Sequence, residues 1–423
     1  MARLSIFLIA LTLMAGITGC APVRYDLTVS STEGGRVTAP GEGTFTYNKG
    51  TVVNLVAEPA EGYRFVNWIG DVSAIGNINS ATTTVTMDSD YSIVANFGLQ
   101  IWEIRTWRDL DAIRNNLSRR YVLMNDLDST TTGYRELASE TANQGRGWQP
   151  IGTELQPFTG SFDGQGYEMR DLFINRPDEV RVGLFGEVEQ GAVIKDIGVT
   201  NLTVVGRDYV GGLVGHSDGT VSNCYATGNV TGEKHVGALV GHNGGTVDRS
   251  HSSGNVTGEE RVGGLVGWNQ ATLSNSYSRC SVRGDSSVGG LVGDNWYYAS
   301  TISNSYSTGS VTGSRHVGGL VGVNYYATVT CSYSTGLVTG NWTPGGLVGY
   351  NTGTVSNSFW DVQTSGRATS AGGIAKTSSQ MKAIATFSGA GWDIMGVAPN
   401  QTNPAYIWNI VENVTYPFLS WQA

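Results

Sequence analysis

The hexapeptide Val210-Gly-Gly-Leu-Val-Gly215 decides the fold, because it returns. With small changes it recurs as Val236 to Gly241, Val262 to Gly267, Val288 to Gly293, Val317 to Gly322 and Pro344 to Gly349. The closing glycines stand 26, 26, 26, 29 and 27 residues apart, and a weaker copy, Val182 to Gly186, lies 29 residues before Gly215. A fixed period of this length marks stacked repeats. Each repeat holds three short apolar runs. One is the hexapeptide. A second is the column Val221, Val247, Leu273, Ile302, Val329 and Val355, and a third is Val230, Val256, Val282, Val311 and Val338. These runs are too short and too rich in glycine for helices, which need about ten periodic residues or more. Three strands per turn describe one coil of a parallel β-helix, with coils about 4.8 Å apart.

Stacking in register puts like residues above like residues. Ser217, Asn243, Asn269, Asn295, Asn324 and Asn351 stand two residues past each hexapeptide. Asn in register is expected to form a hydrogen-bonded ladder. Tyr225, His251, Tyr277, Tyr306, Tyr333 and Phe359 form an aromatic column, read as structural, with a sugar-stacking stripe as the alternative. Cys224, Cys280 and Cys331 fall in alternate repeats. Two coils span about 9.6 Å at the strand spacing, beyond the roughly 7 Å that a disulfide bridges. No intrachain disulfide is expected.

This pattern resembles the GLUG repeat family of bacterial and archaeal surface proteins, named for its Gly-Leu-x-Gly core. The resemblance implies surface display and adhesion-type roles. Phe158-Thr-Gly-Ser-Phe-Asp-Gly164 resembles an entry segment found before such repeats. A bare end of a stack exposes sheet edges and needs a cap. Thr106-Trp-Arg-Asp109 starts like a capping box, and Trp107, Leu110, Ile113 and Leu117 follow at helical spacing. A helical cap over 99–120, a β-helix over 121–366 and a C-terminal cap over 367–423 are therefore expected. The fold class is all-β, with a small N-terminal β module before the parallel β-helix and helical or irregular end caps.

That N-terminal module occupies 25–98. Tyr25 to Ser30, Thr51 to Ala57, Gly62 to Trp68, Thr82 to Met87 and Tyr91 to Phe97 read as about five strands. Gly50-Thr-Val-Val, Ala57-Glu-Pro-Ala-Glu-Gly-Tyr-Arg-Phe65, Trp68-Ile-Gly-Asp71 and Ala95-Asn-Phe97 resemble the internalin-B-type B-repeat family. This implies a spacer or interaction module of bacterial surface proteins, with Phe65 and Trp68 in its core. Ahead of it, Arg3 and the apolar stretch Leu4 to Ile17 read as a signal peptide over 1–19. Ile17-Thr18-Gly19-Cys20 resembles a bacterial lipoprotein box, so Cys20 is expected to be acylated. Two or more chains would anchor the protein stably to a membrane. Extracytoplasmic, lipid-anchored display at the cell envelope is the expected location.

The composition narrows the function. The 423 residues carry a net charge of −9, and only 14% of them are charged. An acidic chain without a basic stripe is a poor nucleic-acid partner. Zincin, Walker and nucleophile-elbow motifs are absent. His216 and His242 share an outward column near Asp218, but that column continues Trp268, Asp294, Val323 and Tyr350. No metal, cofactor or catalytic residue is expected. The irregular repeats carry more. The two longest intervals after Gly215 place extra residues at Trp296-Tyr297-Tyr298 and Tyr325-Tyr326. Insertions in repeat proteins map to loops on one face, often the binding face. Trp268 and Tyr350 belong to the same corner on flanking coils. Exposed aromatics suit sugar rings or a protein partner. The expected function is a non-enzymatic binding or adhesion protein, possible ligands being a polysaccharide or a surface protein. A β-helix polysaccharide lyase or hydrolase and a purely structural envelope protein stay open as alternatives.

Overall fold

The computed structural model describes residues 21–342 and 344–422. The signal-peptide reading of 1–19 and the acylation of Cys20 lie outside the described residues. Half the chain is strand and 7% is helix. It divides into two compact units, Met1–Gln100 and Ile101–Ala423.

The first unit is a small β module of two sheets. Gly43–Asn48, Arg24–Ser31, Tyr91–Leu99 and Tyr63–Gly70 form one; Gly35–Ala39, Val52–Pro59 and Thr82–Thr86 form the other. Alternation drives it: Leu27, Val29, Ile93, Ala95, Val53 and Leu55 point inward and are buried. Trp68 is buried, and its indole N–H donates to the Ser80 carbonyl at 2.9 Å. Phe65 packs on Trp68 and Phe97. The module has seven strands rather than five. The two that sequence reading missed, Gly35–Ala39 and Gly43–Asn48, are short and separated only by Pro40 to Glu42; the first has one large apolar residue, Val37, and the second only Phe45 and Tyr47.

The second unit is a parallel β-solenoid of about seven turns. One coil runs Thr220–Ser222, Tyr225–Thr231, Lys234–Gly237 and Val240–Asn243. It therefore holds four strands, not three. The hexapeptide is the reason. It is a corner rather than a strand: one strand ends at its first valine or glycine, and the next begins at its second valine. The glycines are there because coils stack backbone on backbone. A Cβ on Gly263 would fall 1.9 Å from the Val266 carbonyl oxygen and 2.6 Å from the Gly293 nitrogen. The register follows the repeat: Val236 pairs with Val262, Val221 with Val247, and Val230 with Val256. These columns line a fully buried core.

Two polar ladders run up the interior. Each Asn Nδ2 donates to the next Asn Oδ1 from Asn243 through Asn269, Asn295 and Asn324 to Asn351, at 2.7–2.8 Å. Ser217 does not join, and its buried hydroxyl has no partner among the described residues. The second ladder was overlooked in the sequence. Cys224, Ser250, Ser276, Ser305, Ser332 and Ser358 precede each aromatic of the stack. Each backbone N–H from Cys224 to Ser332 donates to the hydroxyl one coil on. Cys224, Cys280 and Cys331 are free.

The aromatic column stacks as expected, with Tyr225, His251, Tyr277, Tyr306 and Tyr333 in near-parallel rings 4.8–5.0 Å apart. It is not a sugar stripe over its upper length, because the C-terminal segment covers it. Among the described residues after 366, Thr369 and Ala371 bond to the backbone of Gly346 and Val348, and Ile374–Lys376 extends the stack by pairing with Phe359–Asp361. The rest lies along the flank: Phe387, Trp392 and Trp408 pack on Tyr306, Tyr333 and Phe359, and Tyr333 donates to the Pro417 carbonyl. The expected cap is thus mostly a side cover. At the other end, the Thr106–Asp109 capping box forms and starts the helix Trp107–Asp111. The segment 99–120 is not purely helical, since Trp102–Ile104 first adds a strand to the ten-stranded sheet.

His251 makes the column pH-sensitive. Burial, then the nearby Arg279, lowers its pKa to about 4. A histidine depressed in the fold is neutral there while the unfolded chain takes up a proton below about pH 6.5, so stability is lost as pH falls through that value. His251→Tyr restores the residue found elsewhere in the column. It is expected to reduce the fall in Tm between pH 7 and pH 4 by roughly 2–4 °C, read by scanning calorimetry at both pH values.

Candidate ligand-binding face

The candidate site lies on the outer face of the seven-stranded sheet. Its strands are Phe185–Val188, Val214–Ser217, Val240–Asn243, Val266–Asn269, Val292–Trp296, Val321–Tyr325 and Val348–Asn351, paired in register. Side chains alternate across a strand. Because the Asn ladder points inward, the residues on either side of it point out. Those before it are Glu187, His216, His242, Trp268, Asp294, Val323 and Tyr350 in adjacent coils. Those after it include the pair Trp296 and Tyr325. A neighbouring column, Tyr209, His235, Arg261, Ser287 and His316, turns the preceding corner with φ between 51° and 56°.

The C-terminal half of this face is aromatic. Trp296 stacks on Tyr325 with ring centroids 4.1 Å apart, and Tyr298 stacks on Tyr326 at 4.9 Å. Tyr325 and Tyr326 meet edge to face at 4.3 Å. Tyr297, Tyr298, Tyr326 and Tyr350 expose 60, 77, 43 and 41% of their surface. The inserted turns are held in place: the Tyr297 N–H donates to the Tyr325 carbonyl, the Ser300 hydroxyl to the Trp296 carbonyl, and the Tyr326 N–H to the Thr352 hydroxyl. Tyr350 borders the group, with its ring 5.2 Å from His316. The folded chain thus brings together Trp296, Tyr298, Tyr325 and Tyr326, with Tyr297 and Tyr350 at the edge.

Trp268 belongs elsewhere. It is half-buried, with its ring against His235 and His242 and under the Arg261 guanidinium. It marks the polar N-terminal half of the face, which sequence reading took for a variable outward column. There Asp208, His235, Arg261 and Asp294 form a chain. The His235 Nδ1 lies 3.1 Å from Asp208 and its Nε2 3.0 Å from Arg261, while Arg261 donates to Asp294 at 3.1 Å. Burial raises the Asp294 carboxyl to about 6, against the pull of Arg261. Next to this chain the His216 and His242 rings stack at 4.2 Å. Burial, then His216, lowers His242 to about 3, so it is neutral at physiological pH. The signal for this cluster was present in the sequence at the coil period, as His216, His242 and Asp294 one position before the Asn column and His235 and Arg261 eight positions before it.

Among the described residues, no helix is long and apolar enough to cross a membrane. Halomucin of Haloquadratum walsbyi is 31% identical over 241 residues, 53% of this chain but 2% of halomucin. The "Putative Gly-rich membrane protein" of Evansella cellulosilytica is 33% identical over 123 residues, 28% of this chain and 14% of that protein. The chain therefore spans only a small part of the curated relatives it matches. A solved structure described as a "putative immunoglobulin A1 protease" from Bacteroides ovatus aligns over 77% of this chain and 93% of its own, at 17% identity and a TM-score of 0.46. Residues 25–100 match the Divergent InlB B-repeat domain, and residues 206–231 and 284–312 match the GLUG motif.

Proposed function

We propose that the chain is a lipid-anchored cell-surface protein that binds polysaccharide, without cleaving it, through the aromatic half of this face. The observation that carries the reading is two stacked aromatic couples on adjacent coils: Trp296–Tyr325, half-buried at the strand ends, and Tyr298–Tyr326, exposed just beyond them. Ordered aromatic rings on a shallow surface present flat apolar area at little entropic cost, which suits the apolar faces of sugar rings. The names of the relatives, halomucin and a membrane protein, support surface display. The lipobox-like Ile17 to Cys20 supports an acyl anchor.

Affinity gel electrophoresis against a panel of polysaccharides tests this. Truncating a central aromatic at an interface costs about 2 kcal/mol or more, which is roughly 30-fold in affinity. The full chain is expected to be retarded by at least one polysaccharide, and the variant Trp296→Ala, Tyr297→Ala, Tyr325→Ala, Tyr326→Ala to migrate freely. Equal retardation of both proteins would sink the aromatic site. Clearing of the polysaccharide around the band would mark a lyase or hydrolase instead.

A further inference from the structure

The polar half of the same face gathers a cluster of potential metal ligands apart from the aromatic group. A ring nitrogen of His216, a ring nitrogen of His242 and a carboxylate oxygen of Asp218 lie within 4.8 Å of one another. The two histidines come from paired positions on adjacent coils, so the repeat itself stacks them. One nitrogen of each ring has a polar neighbour, a hydrogen bond for His242 and an ion-pair contact without hydrogen-bond geometry for His216. The His216 Nδ1 lies 2.8 Å from Glu187 Oε1, and the His242 Nε2 donates to Gln270 Oε1 at 2.9 Å. This leaves Nε2 of His216 and Nδ1 of His242. The His242 side chain is buried, and its Nδ1 has no hydrogen-bond partner among the described residues. A buried nitrogen lone pair without a donor is a cost that a bound cation would remove. Gly244 leaves room for the third donor, since a Cβ there would fall 2.1 Å from Asp218 Oδ1. The nearby cation, Arg181, is held by Glu154 and Glu187.

We propose that His216, His242 and Asp218 bind one divalent cation of the zinc class, with a fourth position open to solvent. Two imidazoles and one carboxylate suit Zn2+, Co2+ or Ni2+ rather than Ca2+ or Mg2+, which take oxygen donors. Around zinc such donors sit roughly 3.3 Å apart at bond lengths of about 2.0–2.1 Å. From their present spacing the donors would have to draw together by up to about 1.5 Å, and His216 and Asp218 are the half-buried members of the trio. Glu187 and Gln270 act on the metal only through the histidines, by fixing ring orientation and tautomer.

Isothermal titration of the metal-stripped full chain with ZnCl2 provides the test, with Co2+ absorption as a second readout. One equivalent of Zn2+ is expected to bind, and Co2+ to give the visible bands of a low-coordinate site. His216→Asn and Asp218→Asn should abolish both signals, and Gly244→Ala should weaken binding by displacing the carboxylate. Glu187→Gln should weaken it about 10–100-fold. Circular dichroism of each variant separates lost binding from lost folding. If wild type shows no stoichiometric event, or if binding persists unchanged in the folded His216→Asn and Asp218→Asn proteins, the site does not exist.

Discussion

Gly263→Ala is expected to destabilise the solenoid by roughly 4 kcal/mol or more, at the upper end for a single substitution, and to lower its Tm by about 6 °C. The added methyl meets the Val266 carbonyl oxygen at 1.9 Å, the Gly293 nitrogen at 2.6 Å and the Leu291 carbonyl oxygen at 2.9 Å. All three are backbone atoms of the same or the next coil, so no side chain can swing aside. Relief requires the corner itself to open and the coils to separate, which breaks the hydrogen bonds between them. Gly166 is the control. It has φ of +81° but nothing within 4 Å of an added Cβ, so Gly166→Ala carries only a left-handed strain of about 1–2 kcal/mol. Thermal unfolding of the two variants side by side separates the clash from the strain. Equal, small shifts would mean that the hexapeptide corners are not packed as tightly as described.

Asn269→Ala is the second large effect. Asn269 is fully buried. Its Nδ2 donates to Asn295 Oδ1 and to the Ala271 carbonyl, and its Oδ1 accepts from Asn243 Nδ2. The truncation leaves an amide donor below, an amide acceptor above and a carbonyl without this partner, and opens a small cavity. Each buried group left unmade costs about 1–3 kcal/mol, so the loss is expected to be about 3–5 kcal/mol. Asn269→Leu fills the volume and should recover little, because Asn295 Oδ1 and one N–H of Asn243 still lose their ladder partner. Denaturant unfolding checks both. A nearly neutral Asn269→Leu would show that packing volume, rather than the ladder, is what matters at this position.

Much of this architecture was legible in the sequence because the period is nearly constant. Once Gly215, Gly241 and Gly267 are aligned, the Val, Asn and Tyr columns follow, and with them register and core. The serine column before each aromatic repeats at the same period and is equally readable. The corner role of the hexapeptide was not readable from periodicity alone: Val-Gly-Gly-Leu-Val-Gly looks like an apolar run, and only the approach of Gly263 to the next coil shows that a strand must end there. The path of residues 377–422 along the aromatic column was also hidden, since Trp392 and Trp408 mark a buried surface without naming what it covers. For the site, the inserted turns at Trp296 and Tyr325 pointed to the aromatic patch. Trp268 shares that corner on a flanking coil in the sequence, whereas in the fold its ring turns toward His235 and His242. The histidine cluster depends on distances between coils, which columns imply but residue identities do not.

The central claim is that ligand rests on the aromatic half of the seven-stranded sheet. Hydroxyl-radical footprinting of the full chain, with and without the polysaccharide that retards it in the gel, tests this most directly, because it reports each aromatic separately. Binding at this face predicts protection of Trp296, Tyr298 and Tyr326. It also predicts no change at Trp342, which is exposed in the eighteen-stranded sheet. Protection of Trp342 with Tyr298 and Tyr326 left reactive would contradict the assignment.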